Sequence, residues 1–157
     1  MAFVRKSGKT KIMYFNGDTA KEVRNGSLVM LSDSGTVIRL DNDSSDRPIG
    51  VARRNDTAAA SKPDKVPVEV PVENAVEWFI DVDSDGGAAD SDIGMYCSID
   101  TLGGGSVLAG DSVSMRVDVS DTSVRQIFIT GRVSATKIIG TIANTAWDKG
   151  TGDSAFG

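Results

Sequence analysis

The sequence predicts an all-β protein, built as a compact antiparallel sandwich or barrel. Apolar and polar residues alternate in several short runs, and no helical pattern long enough to connect parallel strands lies between them. The 17 glycines, only four prolines and many Val, Ser, Thr and Asp residues are typical of an ordered β protein with many turns. A length of 157 residues is enough for one domain with a substantial core.

Residues 1–25 are predicted to form an extended basic arm that precedes the domain. Residues 1–24 contain six basic and two acidic side chains, a local charge of +4 in a chain whose formal charge is −5. Within this arm only residues 18–24 have a helical pattern, with Asp18 as the expected N-cap.

The domain is predicted to span residues 26–146 and to begin with a β-hairpin at 28–40. A short strand at 48–52 follows, and then a valine-rich strand at 66–72. Two prolines in the valine-rich strand each lack a backbone donor, which predicts that this strand lies at a sheet edge.

The strand at residues 76–82 is predicted to lie in the core, because all residues on one of its faces, including Trp78, are apolar. The later apolar alternation predicts further strands at 93–99, 113–119, 127–130 and 137–143. Residues 147–157 are rich in Gly, Ser and Asp and are predicted to form a flexible tail. Trp147 is expected to contact a partner, because a large aromatic side chain beside a flexible end is stable only when another surface buries it.

The residue inventory excludes most catalytic constellations. Histidine is absent and Cys97 is the single cysteine, so neither a Ser-His-Asp triad, a Cys-His pair nor a Cys/His zinc site can form within the chain. Carboxylate, Lys, Tyr or Ser-Lys chemistry remains, but no spacing selects a carboxylate pair. We therefore expect that the protein is not an enzyme.

Charge is segregated along the chain. No basic residue lies between Lys65 and Arg116, whereas ten acidic residues do. A basic arm before an acidic body suits a subunit whose arm lies on an acidic neighbour, although a solvated loop region and a frayed terminus give the same pattern. The pI near 4.7 argues against direct nucleic-acid binding. No apolar run is long enough for a membrane helix, and the N-terminus lacks the apolar region of a secretory signal.

Four aspartates have part of the spacing of a calcium loop. Asp81, Asp83 and Asp85 precede a glycine at the sixth position, and Asp92 follows eleven residues after the first aspartate. The twelfth-position Glu and the flanking helices of an EF-hand are missing. A hairpin loop whose aspartates form Asx-turns gives the same pattern, so no cofactor is required and calcium is an alternative.

Three stretches together resemble the small capsid decoration, or cement, proteins of tailed bacteriophages. They are GSLV and SGTV at 26–29 and 34–37 with PIGVA at 48–52, then WFID and SDIGMYC at 78–81 and 91–97, and finally GRV at 131–133. The resemblance covers roughly residues 26–140. It implies a β-barrel or β-tulip that is made in the host cytoplasm. It also implies a homotrimer on the outer capsid surface of the virion that clamps neighbouring major capsid protein subunits.

We therefore expect a structural, partner-binding protein. The residues expected to contact the shell or a neighbouring subunit are those of the arm: Phe3, Val4, Arg5, Lys6, Lys9 and Lys11. The alternative is a carbohydrate-binding or adhesin-like β module that uses calcium through the four aspartates and Trp147 as a platform for sugar.

Overall fold

The computed structural model contains two antiparallel sheets that pack together, which confirms the predicted all-β sandwich. It describes residues 3–40, 46–56, 65–73, 75–83, 86–100, 115–143 and 145. The elements in these residues are β1 Phe3–Ser7, β2 Thr10–Asn16, β3 Leu28–Leu31, β4 Val37–Arg39, β5 Gly50–Ala52, β6 Lys65–Pro71, β7 Glu77–Asp81, a 3₁₀ turn at Asp90–Asp92, β8 Tyr96–Asp100, β9 Arg116–Asp118, β10 Ile127–Ser134 and β11 Lys137–Ile142.

Sheet A has six strands in the order β1-β7-β11-β10-β8-β9, and sheet B has five in the order β2-β6-β5-β3-β4. The main core lies between the sheets, where Phe3, Trp78 and Ile80 of sheet A meet Leu28 and Val51 of sheet B. Because side chains alternate along a strand, the opposite face of sheet B carries a second apolar cluster. Sheet B therefore buries apolar side chains on both faces.

The N-terminal segment belongs to both sheets, so the predicted boundary between an arm at 1–25 and a domain at 26–146 is not a boundary in the fold. β1 pairs with β7 at the edge of sheet A, and β2 pairs with β6 at the edge of sheet B. Gly8 makes the turn between them with a φ of +96°, and a Cβ there would lie 2.7 Å from the Cα of Val76. The arm is extended, as predicted, but it is sheet structure anchored by the buried Phe3.

The helix predicted at residues 18–24 is wrong. Asp18 accepts hydrogen bonds from the backbone N–H groups of Ala20 and Lys21, at 2.9 and 3.1 Å, but caps a turn and not a helix. Val23 is buried and exchanges two backbone hydrogen bonds with Asp56, at 2.9 and 2.8 Å. This pairing removes the backbone groups that a helix would need. The Ala20 N–H and the Thr36 hydroxyl hold the pKa of Asp18 below its usual value.

The edge position predicted for the valine-rich strand is also wrong, because β6 lies between β2 and β5. The Pro67 carbonyl accepts the Arg53 N–H at 2.9 Å, so alternate residues of β6, including Pro67 and Pro71, direct their backbone groups toward the β5 side. β5 pairs only with Val68 and Glu69. Both prolines therefore lie beyond the short strand that would have needed their missing N–H groups.

The remaining strands follow the predictions with shorter or shifted bounds. The hairpin of β3 and β4, the short β5 and the core strand β7 are confirmed, and Trp78 is fully buried. β8 begins at Tyr96 and not at Ile93, because Ile93 and Gly94 form a turn that follows the 3₁₀ turn. Within the predicted strand at 113–119, the described residues form the shorter strand β9. The tail at 147–157 and Trp147 lie outside the described residues.

Isolated bridges extend both sheets. Gly17 pairs with Val37, which brings the end of β2 to β4, and Val82 pairs with Val117, which brings the end of β7 to β9. Each bridge therefore connects two strands that are not neighbours in the strand order of their sheet. Among the described residues, no helix is long and apolar enough to span a membrane.

Candidate partner-binding surface

A nearly buried carboxylate fixes the N-terminal strands to the body. Glu69 of β6 is only 6% exposed and lies at the contact between the two sheets. Its carboxylate forms ion pairs with Arg5 of β1, at 3.0 Å, and with Arg53, and it accepts the Thr10 hydroxyl at 2.8 Å. Arg53 also donates to the Phe3 carbonyl at 3.2 Å. This cluster satisfies a costly buried charge and closes the N-terminal edge of the sandwich.

A second ion pair holds β1 to β7 on the outer face of sheet A. The Lys6 ammonium lies 2.6 Å from a Glu77 oxygen, and the Ser7 and Thr130 hydroxyls also donate to this carboxylate. Lys6 and Thr130 together hold the pKa of Glu77 below its usual value. The acidic neighbour predicted for the basic arm is thus, for Arg5 and Lys6, the protein's own β6 and β7.

The structure separates the six predicted contact residues into three groups. Phe3 is fully buried, so its prediction as a contact to another protein is wrong, because the side chain fills the core beside Trp78. Arg5 and Lys6 are held by internal carboxylates. Only three remain available at the surface, and these are Val4, Lys9 and Lys11.

β2 also presents apolar side chains, on the strand face opposite that of Lys11. Tyr14 is 65% exposed and Ile12 is 47% exposed. In the part of the chain that the structure describes, no carboxylate forms an ion pair with Lys9 or Lys11. We call Lys9, Lys11, Ile12 and Tyr14 the β2 surface.

The backbone of β2 adds hydrogen-bonding capacity to this surface. The Val72 N–H donates to the Lys9 carbonyl at 3.1 Å, so Lys9 and every second residue after it face β6. The backbone groups of Ile12 and Tyr14 therefore point away from β6, at the edge of sheet B. An edge strand with exposed apolar side chains and free cations is a site at which another chain can dock.

The sequence did not identify Ile12 and Tyr14. Met13 and Phe15 alternate with them, so both faces of β2 carry apolar residues and the pattern does not select the exposed face. The signal that could have found them is their alternation with Met13 and Phe15, whose face packs on a valine-rich partner.

The predicted calcium ligands do not converge in the described residues. Asp81 pairs with Lys137 at 3.3 Å, and Asp83 lies 4.0 Å from Arg116. Asp92 accepts the Ala89 N–H at 2.7 Å, and Asp85 lies outside the described residues. No group of three His, Cys, Asp or Glu residues in the described ranges could hold a metal ion.

An acidic corner lies at the end of sheet A. Burial raises the pKa of Asp100, and the nearby Asp83 and Asp118 raise it further. One Asp100 oxygen is buried without a hydrogen-bond partner. A cleft of about 70 Å³ beside this corner is lined, among the described residues, by Asp83 and Asp118 together with small residues and valines, and by no aromatic side chain.

Cys97 is buried in the main core, and this burial raises the pKa of its thiol to about 12. The thiol is therefore protonated near neutral pH and is unsuited to nucleophilic chemistry.

Comparisons with known protein families, with curated proteins and with solved structures found no match to this chain.

Proposed function

We propose that this protein is a structural virion protein that binds the outer surface of an assembled phage capsid as a homotrimer. Its partner is the major capsid protein, and it stabilises the shell by bridging neighbouring subunits. Many copies that bind the assembled shell, and not the separate subunits, favour the assembled state by mass action. The proposal starts from the resemblance in residues 26–140 described above.

The observation that carries the proposed contact is the β2 surface. A protein of formal charge −5 leaves Lys9 and Lys11 without an ion-pair partner among the described residues, and the same edge strand exposes Ile12 and Tyr14. Unpaired cations steer the approach of an acidic partner, and an aromatic side chain supplies apolar contact after docking. The proposed capsid contact therefore moves from the whole arm to the β2 surface.

The test uses phage heads that lack this protein, isolated from particles in which its gene is deleted. Purified protein is added over a range of concentrations, and binding is measured by co-sedimentation. The wild-type protein is expected to bind saturably and to raise the temperature at which the heads disrupt. Absence of saturable binding would overturn the proposed function.

The contact surface is tested separately with the double variant Lys11→Gln and Tyr14→Ser. We expect at least about tenfold weaker binding to the heads, since Tyr side chains are frequent interface hot spots. Val133→Ser is the matched control, because Val133 is also an exposed apolar strand residue, 53% exposed, but lies in sheet A. Equal binding by the double variant and the control would exclude the β2 surface while leaving the capsid-binding function in place.

The carbohydrate-binding alternative has less support from the described residues. The cleft at the acidic corner is smaller than the roughly 300–1,000 Å³ of typical ligand pockets, and its lining offers no aromatic platform. Calcium that raises the melting temperature, together with retention on an immobilised glycan, would favour this alternative over capsid binding.

A further inference from the structure

An apolar stripe crosses the outer face of sheet A. Phe79 lies between the core residues Trp78 and Ile80 and therefore points outward. Val4 of β1 and Ile139 of β11 are its register partners on either side. These three side chains form one row across three neighbouring strands.

The apolar surface continues on the next two strands but is displaced along them, because the register partner of Phe128 on β11 is Thr141 and not Ile139. Phe128 lies between the core residues Ile127 and Ile129, so it also points outward. Tyr96 of β8 is its register partner, and the two rings lie 5.0 Å apart with an interplanar angle of 56°. We call Val4, Phe79, Ile139, Phe128 and Tyr96 the sheet A stripe.

The stripe is accessible and wide. Val4 is 38% and Tyr96 40% exposed, and the three residues between them are partly exposed. Five strands at about 4.8 Å spacing give a width of about 19 Å. This width suits another protein surface better than a small ligand, and aromatic residues are enriched in the buried centres of protein interfaces.

The charges that flank the stripe on β1, β7 and β11 are internally neutralised, and the Arg125 guanidinium lies 5.9 Å from the centroid of the Tyr96 ring. Lys6 is paired with Glu77 at 2.6 Å, and Lys137 is paired with Asp81 at 3.3 Å. These four residues are neighbours of stripe residues on β1, β7 and β11. The stripe therefore differs from the β2 surface, where the lysines have no such partner. It offers little charge to attract an acidic protein and little to repel another copy of the same acidic chain.

We propose that the sheet A stripe is the surface through which copies of this chain associate. The inference rests on the proposed function, because it identifies the contact that forms the homotrimer. A mainly apolar, aromatic surface is typical of a permanent contact between identical subunits, whereas a charged rim favours a partner met later by electrostatic steering. Two surfaces of different chemistry thus serve two partners: the stripe binds other copies, and the β2 surface binds the shell.

The first experiment measures mass by light scattering for the full chain and for the double variant Phe79→Lys and Tyr96→Lys. The wild type is expected at three times the chain mass, and the variant is expected to dissociate at concentrations at least tenfold higher than those that dissociate the wild type. Tyr14→Lys is the control and should keep the wild-type mass. A variant that remains trimeric with the wild-type concentration dependence would overturn the inference.

The second experiment uses unmodified protein, so it does not depend on a variant that folds. The chain has two tyrosines, Tyr14 on the β2 surface and Tyr96 on the stripe. Hydroxyl-radical labelling of Tyr96 should fall as protein concentration rises, while labelling of Tyr14 stays constant. The inference would be overturned if the labelling of Tyr96 and Tyr14 did not change with protein concentration while light scattering showed that the mass increased.

The outcomes also separate this inference from the proposed function. A wild type that stays monomeric at all concentrations, with Tyr96 protected, would show that the same chain covers the stripe and would overturn the contact between copies. Saturable binding to phage heads would still support capsid decoration in that case. A trimer formed through the stripe that does not bind the heads would support the inference on self-association and overturn the proposed function.

Discussion

β1 and β2 are both basic edge strands of the N-terminal segment, but their basic side chains differ in whether an internal carboxylate pairs with them. On β1, Arg5 and Lys6 bind the carboxylates of Glu69 and Glu77. On β2, Lys11 has no carboxylate partner among the described residues, and the other face of the same strand exposes apolar side chains. Basic residues close together in a sequence therefore do not identify a binding surface until the internal ion pairs have been found.

The largest effect expected from this comparison is the loss of Glu69. Glu69→Ala should lower the free energy of unfolding by about 3 kcal/mol, because it leaves Arg5 and Arg53 without their shared anion at a partly buried position. Urea denaturation measures this change. Glu73→Ala is the control, since the Glu73 carboxylate is on the surface and, among the described residues, accepts only the Lys9 N–H, at 2.8 Å. A Glu69 variant as stable as this control would show that the cluster does not anchor β1.

A smaller effect is expected for the ion pair of Lys6 and Glu77, at most about 1 kcal/mol, because both side chains are partly exposed and screened by solvent. The pKa of Glu77 is lower in the folded protein than its usual value of 4.5. The stabilisation is therefore fully present above about pH 4.5 and is lost as the pH falls through the folded pKa.

Glu77→Gln should remove this pH dependence. The measurement is the difference in unfolding free energy between the wild type and the variant at several values from pH 7 to pH 3. A difference that does not shrink as the pH falls would contradict the assignment of the stabilisation to the ionised carboxylate.

At the acidic corner, the expected pH dependence of stability has the opposite sign. The pKa of Asp100 is raised, so the folded state binds its proton more tightly than the unfolded chain does, and stability falls as the pH rises through this range. Asp100→Asn should therefore stabilise the protein at pH 7 by about 0.5 kcal/mol, or about 2 °C in melting temperature. Differential scanning calorimetry at pH 7 checks the sign, and a lower melting temperature would contradict it.

The smallest effect is expected on β2. Lys9→Gln and Lys11→Gln together should change the free energy of unfolding by no more than about 0.5 kcal/mol, as for surface residues without partners. Chemical denaturation measures this change under the same conditions as for the Glu69 and Glu77 variants, so that the two strands can be compared. A loss above about 1 kcal/mol would mean that these lysines have a structural partner and are not free for another protein.

The sequence was informative where alternation is strict. β7 was predicted because Trp78 and its apolar neighbours all fall on one face, and the structure buries that face. β1 and β2 were assigned to an arm because their lysines and arginines suggested solvent exposure. The carboxylates that neutralise two of these cations lie more than 60 residues away along the chain. No local pattern contains that information.

Other errors also arose from contacts distant in sequence. The prolines of β6 cannot pair with a neighbouring strand as long as β6 on the side that their backbone faces. The sequence does not show that the neighbour on that side, β5, spans only three residues. Val23 pairs with Asp56, so the residues near Asp18 form a turn and not a helix. For the candidate site, the sequence located its basic residues, but the exposure of Ile12 and Tyr14 depends on which face of β2 packs against sheet B.

The crossing of the N-terminal hairpin between both sheets has a consequence for synthesis on the ribosome. Lys6 is translated 71 residues before its partner Glu77, and the Lys9 N–H precedes Glu73 by 64 residues. The first strands made must therefore wait, unpaired, until β6 and β7 leave the exit tunnel. Such distant pairing slows folding and leaves apolar strand edges exposed in nascent chains. The positive charges of this segment then act as gatekeepers, because nascent chains of like charge repel one another until the acidic strands arrive.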